Sequence, residues 1–334
     1  VKVLDREGLA HVLEIVRAIQ WVVDHRESLG IRVMNLSFAQ TPRWPFWEDP
    51  VNQAVEKAWD SGIAVVAAAG NEGPDPGTVG SPGNLPRIIT VGAVTDSWTP
   101  DTRDDDYIPD FSSRGPTPSG HENPDVDALG GHMNCLILPE SSLALEHHED
   151  ILRTGEFVST GSSQASALVS GILALLLQLE PDLGPDELKC KLITSAEPAI
   201  NRDGKLAYSP FQQGYGYVSA TRAVTLGLRA CELPMTGQVS RSNEIDHLLG
   251  PVEVAEDGSA VLPGFEGAVS ETPSEKGLST TRKWGVKAHV ERLDPRAPRS
   301  TETPSPFDLS LIHISEPTRL RLKSRMPSWA WKGG

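Results

Sequence analysis

The run "IAVVAAAG", Ile63 to Gly70, limits what this chain can become more than any other stretch. Seven consecutive apolar residues leave a strand no face for water. A strand here therefore lies in a sheet covered on both sides, which is the habit of parallel sheets. Its neighbours carry the alternation that such a sheet requires. "HVLEIVRAIQWVVDH" sets Val12, Ile15, Val16, Ile19, Val22 and Val23 at steps of three and four, one face of a helix. "VKVL" reads as a short strand, "IRVMNLSF" as the next, "VNQAVEKAWDSG" as a helix stopped by Gly62, and "RIITVGAV" as another buried strand. In "GPDELKCKLITSA" Pro185 stands near a helix start, where its missing amide costs nothing. The alternation runs to about residue 225 and predicts a parallel α/β sheet.

Composition narrows the function. The 334 residues carry a formal net charge of −15, which argues against a nucleic-acid partner, because phosphate backbones select basic faces. Cys135, Cys190 and Cys231 show no C-x-x-C spacing and cannot all pair, so neither a disulfide scaffold nor a zinc site is expected. No stretch reaches the ~18 apolar residues of a membrane span. Ala165 to Leu177 falls short, is interrupted by Ser166, Ser170 and Gly171, and reads as a buried core helix.

After Gly227 the periodicity fades and Pro, Gly, Ser, Thr and Glu dominate, with one hairpin expected in "VEVAEDGSAVL". We read 228–308 as a weakly ordered extension. "LSLIHISEPTR", Leu309 to Arg319, resembles the translation of a transposon-end sequencing adapter, so 309–334 is set aside as a tail.

Two stretches carry chemistry. In "VSTGSSQASALVSG" serines stand at the first turn of an apolar helix, in the positive end of its dipole and among unpaired amides. That suits a nucleophile whose product is an oxyanion. By itself a serine ahead of a helix is an ordinary cap. In "VVAAAGNEG" a buried strand ends at Gly70 and presents an amide side chain, Asn71. Active groups in open α/β sheets collect at such strand ends, and an asparagine amide there can donate to a developing oxyanion. Asparagine also simply turns chains.

Both stretches, in this order, resemble the subtilisin-like serine peptidases, and the resemblance covers about 1–226. "GSSQASALVSG" is similar to the family's G-T-S-M-A-x-P-H-V-A-G motif, which implies Ser163 as nucleophile. "AAAGNEG" is similar to the segment of the oxyanion asparagine, implying Asn71. "VMNLSFAQ" resembles the strand that pairs with substrate, here Ser37, Phe38 and Ala39. "GTVGSPGNLPRIITVGA", "DFSSRGPTPSG" and "NPDVDALG" resemble later landmarks, as do "PDLGPDELKCKL" and "QQGYGYVSATRAV". The resemblance implies a three-layer α/β/α fold with a mostly parallel sheet over 1–227, and protein or peptide substrates. It implies a pocket walled by Ser37 to Ala39 and by Ala68, Ala69 and Gly70, with Gly80 near its base and a cis bond before Pro82. A deep neutral pocket of this kind favours apolar or aromatic residues over Lys or Arg.

The departures are as informative. Ser162, Gln164, Ala167 and Leu168 stand where the family has Thr, Met, Pro and His, and Asn123 and Leu129 replace a lysine and a proline. The family's Asp and His signatures, which precede the serine, are absent. Asp5 is followed by Arg6 and Glu7, and His11 and His25 read as surface helix residues. The expectation is a fragment that lacks its base and is inactive alone; the other reading is a non-catalytic relative that binds peptides along a strand. No cofactor is called for. Calcium, which family members often bind, has one candidate in Asp104–Asp106, although acidic loops are usually just solvated. His147 and His148 read as a surface pair. The resemblance leans toward an exported enzyme, and oligomeric state is not legible.

Overall fold

A computed structural model describes residues 1–5, 9–99, 101–201, 206–232, 239–242, 245–248, 250–254, 260–262, 287–290 and 310–315. Helix α1 (Val12–Asp24) buries Ile15, Ala18, Ile19 and Val22, the stripe set by the apolar spacing. A further turn, α2 (Arg26–Leu29), leads into β1 (Ile31–Ser37). The side chain of Asp49 caps α3 (Pro50–Asp60) by accepting from the amides of Val51 and Asn52, and Pro50 takes the first turn, where no amide is needed. The chain turns at Gly62 and enters β2 (Ala64–Ala68), every residue of which is buried. β3 (Ile89–Val94) is buried throughout, and β4 (Val126–Leu129) joins it.

These strands pair in parallel in the order β1-β2-β3-β4, with Leu36 opposite Ala67 and Ala68 opposite Val91. The register brings the carboxyl ends of β1 and β2 side by side. Beyond β4, β5 (Met133–Cys135) pairs antiparallel with β6 (Phe157–Ser159). The connection between them holds α4 (Ser142–Glu146) and a 3-10 turn, His148–Asp150. Helix α5 (Ser162–Leu179) packs along β1, β2, β3 and β4. Burying its Leu173 and Leu176 completely removes ~1.5–3 kcal/mol of apolar surface each from water. Strand faces covered on both sides, with α1 against α3 and α5 across the strands, make the expected α/β/α arrangement.

α5 exceeds the expected core helix because Ser162 to Gln164 and Gln178 to Leu179 extend it to 18 residues. That length and its hydropathy would cross a bilayer, but half of it is buried, on the strands just named. Helix α6 (Pro185–Ser195) begins with its proline at the first position. Its buried Lys189 meets Asp125 Oδ1 at 2.8 Å and donates to the carbonyls of Pro86 and Ile88, tying the helix to the entries of β3 and β4.

Three expectations change. Val1 to Leu4 forms no strand: no described segment lies beside it to complete a ladder. Cys190 on α6 is disulfide-bonded, which the spacing of three cysteines did not suggest, while Cys135 is free. Within the tail set aside from the sequence, Ser310–Ser315 runs parallel to β1, with Ser37 opposite Ser315. A strand buried on both faces still has an open backbone edge, and an apolar segment of alternating character fits it.

Within 228–308 the expected hairpin forms between Glu253–Val254 and Ala260–Val261. It is anchored rather than loose at its start, where the amides of Gly250 and Val252 donate to the carbonyls of Ser119 and Gly120 at 2.8 and 3.2 Å. Leu262 packs with Leu206 and Phe211.

Candidate active site

The turn after β2 depends on a glycine. Gly70 has φ +116°, and a Cβ there would stand 2.7 Å from Ser113 Oγ. This backbone turns Asn71 toward the start of α5. The Asn71 Oδ1 atom accepts from the Ser162 amide at 2.9 Å and from the Ser162 hydroxyl at 3.0 Å. Since an amide N–H can only donate, the atom facing it must be the carbonyl oxygen. The Nδ2 edge is thereby turned the other way. Ser162, wholly buried, also accepts from the Gly70 amide at 3.2 Å, so one hydroxyl fixes both the turn and the asparagine.

Ser163 follows directly, half-buried in the first turn of α5. Its hydroxyl donates to the Ser37 carbonyl at 3.1 Å, and the Ser37 hydroxyl donates back to the Ser163 carbonyl at 3.0 Å. The end of β1 and the start of α5 are thus laced together. Behind them Ser166 Oγ donates to the Ser163 carbonyl, and Ser170 Oγ donates to Asn35 Oδ1. Among the described side chains no imidazole is hydrogen-bonded to Ser163. His11 is exposed at the start of α1, and His25 stacks on Trp21 with its Nδ1 at 2.8 Å from the Trp21 carbonyl. His132 stacks on Trp98, its Nδ1 lies 3.3 Å from Thr95 Oγ1, and burial pushes its pKa below the usual value.

The residues expected to wall a pocket converge in part. Gln40 and Ser81 exchange both backbone hydrogen bonds, at 3.0 and 2.8 Å, and the Gly80 amide donates to the Ala69 carbonyl. A Cβ on Gly80 would approach Ala39 Cβ to 2.8 Å, so the glycine serves this close approach. Ala68, Ala69, Gly70 and Ala39 lie around it, and the Ser81-Pro82 bond is cis. Phe38 instead turns its ring into the core.

Two contributors to this geometry escaped sequence reasoning. Ser162, which stands where the family has threonine, holds Asn71. Ser113, whose Oγ accepts from the Glu72 amide at 3.1 Å, sets the far side of the turn. A readable signal existed for the first, since Ser162, Ser166 and Ser170 recur every fourth residue on one helix face. In the acidic run, Asp105 accepts from Thr99 Oγ1, and burial raises the pKa of Asp106. Among the described residues, the one group of three or more gathered His, Cys, Asp or Glu donors lies elsewhere, at His147, Glu149 and Asp150.

The family model described as "Subtilase family" (Peptidase_S8) matches residues 1–216. The chain belongs to the subtilase family. It is 37% identical over 229 residues to serine protease AprX of Bacillus subtilis (strain 168), covering 67% of this chain and 50% of that protein. Among solved structures, the S41 psychrophilic protease shares the fold with a TM-score of 0.52 at 24% identity, over 64% of this chain and 66% of that one. Fervidolysin from Fervidobacterium pennivorans gives 0.50 at 25% identity, over 66% of this chain and 30% of that one. The chain spans half or less of the length of the first curated relatives it matches, 50%, 46% and 17% of them. In this subtilase the corner between β2 and α5 coincides with the two stretches that the sequence singled out.

Proposed function

We propose that this subtilase supplies the nucleophile and the oxyanion donors of a serine endopeptidase. Ser163 Oγ attacks the scissile carbonyl, and a tetrahedral intermediate forms whose oxyanion accepts from Asn71 Nδ2 and from the Ser163 amide. Collapse breaks the C–N bond and expels the amine, which takes up the proton given up by Ser163. Water then hydrolyses the acyl ester, releasing the acid and returning a proton to Ser163 Oγ. One observation carries the reading. Ser162 holds Asn71 by its oxygen, which leaves the donor edge turned out beside the first turn of α5, where helix amides have no partner within the helix. Ser37 and Ala39 at the end of β1 offer backbone to an extended peptide, and the small residues Ala68, Ala69, Gly70 and Gly80 frame the adjoining subsite. No carboxylate is among these residues, so that subsite favours apolar or aromatic side chains over cations. The proposed chemistry uses side chains and backbone alone. The disulfide at Cys190 fits an oxidising, extracytoplasmic setting.

The step still needed is removal of the Ser163 proton. With its hydroxyl engaged by a carbonyl, and no imidazole bonded to it among the described side chains, Ser163 is a weak nucleophile as it stands. A serine-reactive phosphonate and a generic peptide substrate test this: neither labelling nor turnover is expected. Turnover abolished by Ser163→Ala would overturn that expectation and place the base within the chain. Sequence upstream of Val1 tests the catalytic reading itself. Asp and His-Gly-Thr-His motifs there support the peptidase; an intact frame without them favours the peptide-binding relative. In the product of the complete frame, Ser163→Ala is expected to lower turnover by ~10⁶, a magnitude taken from subtilisin, another member of this family.

A further inference from the structure

We propose that His147, Glu149 and Asp150 form a binding site for a divalent cation of the zinc class. One donor atom from each of the three lies within 4.8 Å of the other two. His147 Nδ1 and Glu149 Oε1 are 3.8 Å apart. Ligands of a tetrahedral zinc ion at ~2.1 Å stand roughly 3.4 Å from one another, so small side-chain rotations close the set.

The backbone beneath the donors is fixed by its own hydrogen bonds. The His147 amide donates to the Leu143 carbonyl at 3.0 Å and closes α4, and the Asp150 amide donates to the His147 carbonyl at 3.1 Å. Ile151 then bridges to Phe157, and the buried Ala144 and Phe157 pin both ends of the connection. The His147 side chain is only 21% exposed, so few rotamers remain to it. Glu149 meets the imidazoles of His147 and His148, and among the described residues neither Glu149 nor Asp150 forms an ion pair with a lysine or arginine. The carboxylate of Glu149 is thus partnered by imidazoles alone among the described residues.

The donor set favours zinc over calcium. Calcium takes six to eight oxygen ligands, whereas one imidazole nitrogen with two carboxylates and an open position suits zinc. A bound ion would staple the end of α4 to the turn. The chain continues through Phe157 to Ser159, whose hydroxyl accepts from Gln164 in the first turn of α5 at 2.7 Å. The site therefore sits on the segment that delivers the chain to α5. It does not depend on the peptidase reading, because no donor belongs to that machinery.

Calorimetric titration of the full chain with zinc chloride tests it, in a Cys135→Ser background that removes the free thiol. One saturable site is expected, weakened at least ~10-fold by His147→Ala and by Asp150→Asn. His148→Ala, at a side chain 82% exposed, is expected to change affinity less than ~3-fold. Calcium chloride is expected to give no heat that His147→Ala removes. The three positions lie on a surface turn, and far-UV circular dichroism confirms that each variant is folded. Absence of saturable zinc binding would overturn the proposal. So would binding that His147→Ala and Asp150→Asn both leave within ~2-fold of the parent, or a site lost on His148→Ala alone.

Discussion

The corner where β2 meets α5 and the connection between β5 and β6 are built in opposite ways, although only a few residues separate them in the chain. At the corner the polar groups are buried and partnered: Ser37, Ser162, Ser166 and Ser170 are each at most 1% exposed and each hydrogen-bonded. In the connection Leu136, Leu138 and Leu145 are 96%, 74% and 68% exposed, and two carboxylates gather beside imidazoles, with no lysine or arginine paired to them among the described residues. The corner needs nothing further to hold its geometry, because each buried donor or acceptor would be costly to release. The connection is held by backbone hydrogen bonds, such as His147 to Leu143, while its leucines gain little from burial.

The sharpest way to break this contrast is at Asn71. In the product of the complete reading frame, Asn71→Ala is expected to lower turnover by ~10² to 10³, the range measured for the oxyanion donor of subtilisin. Ser162→Ala, which leaves Asn71 in place but loosens it, is expected to cost less. If both variants leave steady-state turnover unchanged, the corner is structural and not catalytic.

Next in size is Gly70→Ala. A side chain at φ +116° is strained, and its Cβ would meet Ser113 Oγ at 2.7 Å. Strain of this kind costs ~1–3 kcal/mol. Urea unfolding is expected to show a loss of that order, whereas Gly155→Ala in the connection adds a Cβ that meets nothing within 4 Å and pays only for its φ of +86°. Equal losses at the two sites would erase the distinction.

Much of the corner was legible because its signals are local. A wholly apolar run followed by glycine and asparagine marks the end of a buried strand, and small hydroxyl residues before an apolar helix mark its start. The stripe from Ile15 to Val22 and the helix start at Pro185 were readable for the same reason. What escaped depends on partners distant in the chain. "VKVL" has the residues of a strand but no neighbour to pair with among the described residues, and the disulfide at Cys190 has no spacing signature. Ser162 gains its role only when Asn71, 91 positions earlier, folds against it. The gathering of His147, Glu149 and Asp150 depends on a turn that no periodicity announces.

Asp127 on β4 is a buried carboxyl outside that well-partnered corner. It is 1% exposed, and neither carboxyl oxygen has a hydrogen-bond partner among the described residues. Burial holds its pKa well above the usual carboxylate range, with Arg114 only partly opposing. The folded state therefore keeps a proton that the unfolded chain releases near pH ~3.9. Its contribution to stability is full below that pH and is lost as pH rises toward the folded-state value. Asp127→Asn, which cannot ionise, is expected to unfold at a higher urea concentration than the parent by an amount that grows from pH 4 to pH 8, on the order of 1–3 kcal/mol at the upper end. A difference that stays flat with pH would show that Asp127 titrates alike in both states.

The smallest effect belongs to the connection. Leu136 is 96% exposed, so Leu136→Ser removes almost no buried apolar surface, and surface changes of this kind fall within ~0.5 kcal/mol. Leu173→Ala, inside α5 and fully buried, is expected to cost ~2–5 kcal/mol through lost transfer energy and the cavity left behind. Paired urea melts of the two variants measure the contrast directly. A loss above ~1 kcal/mol for Leu136→Ser would mean that the exposed leucines are covered in solution. In that case the connection would be an interface, and the comparison that separates it from the corner would have to be redrawn around whatever surface covers it.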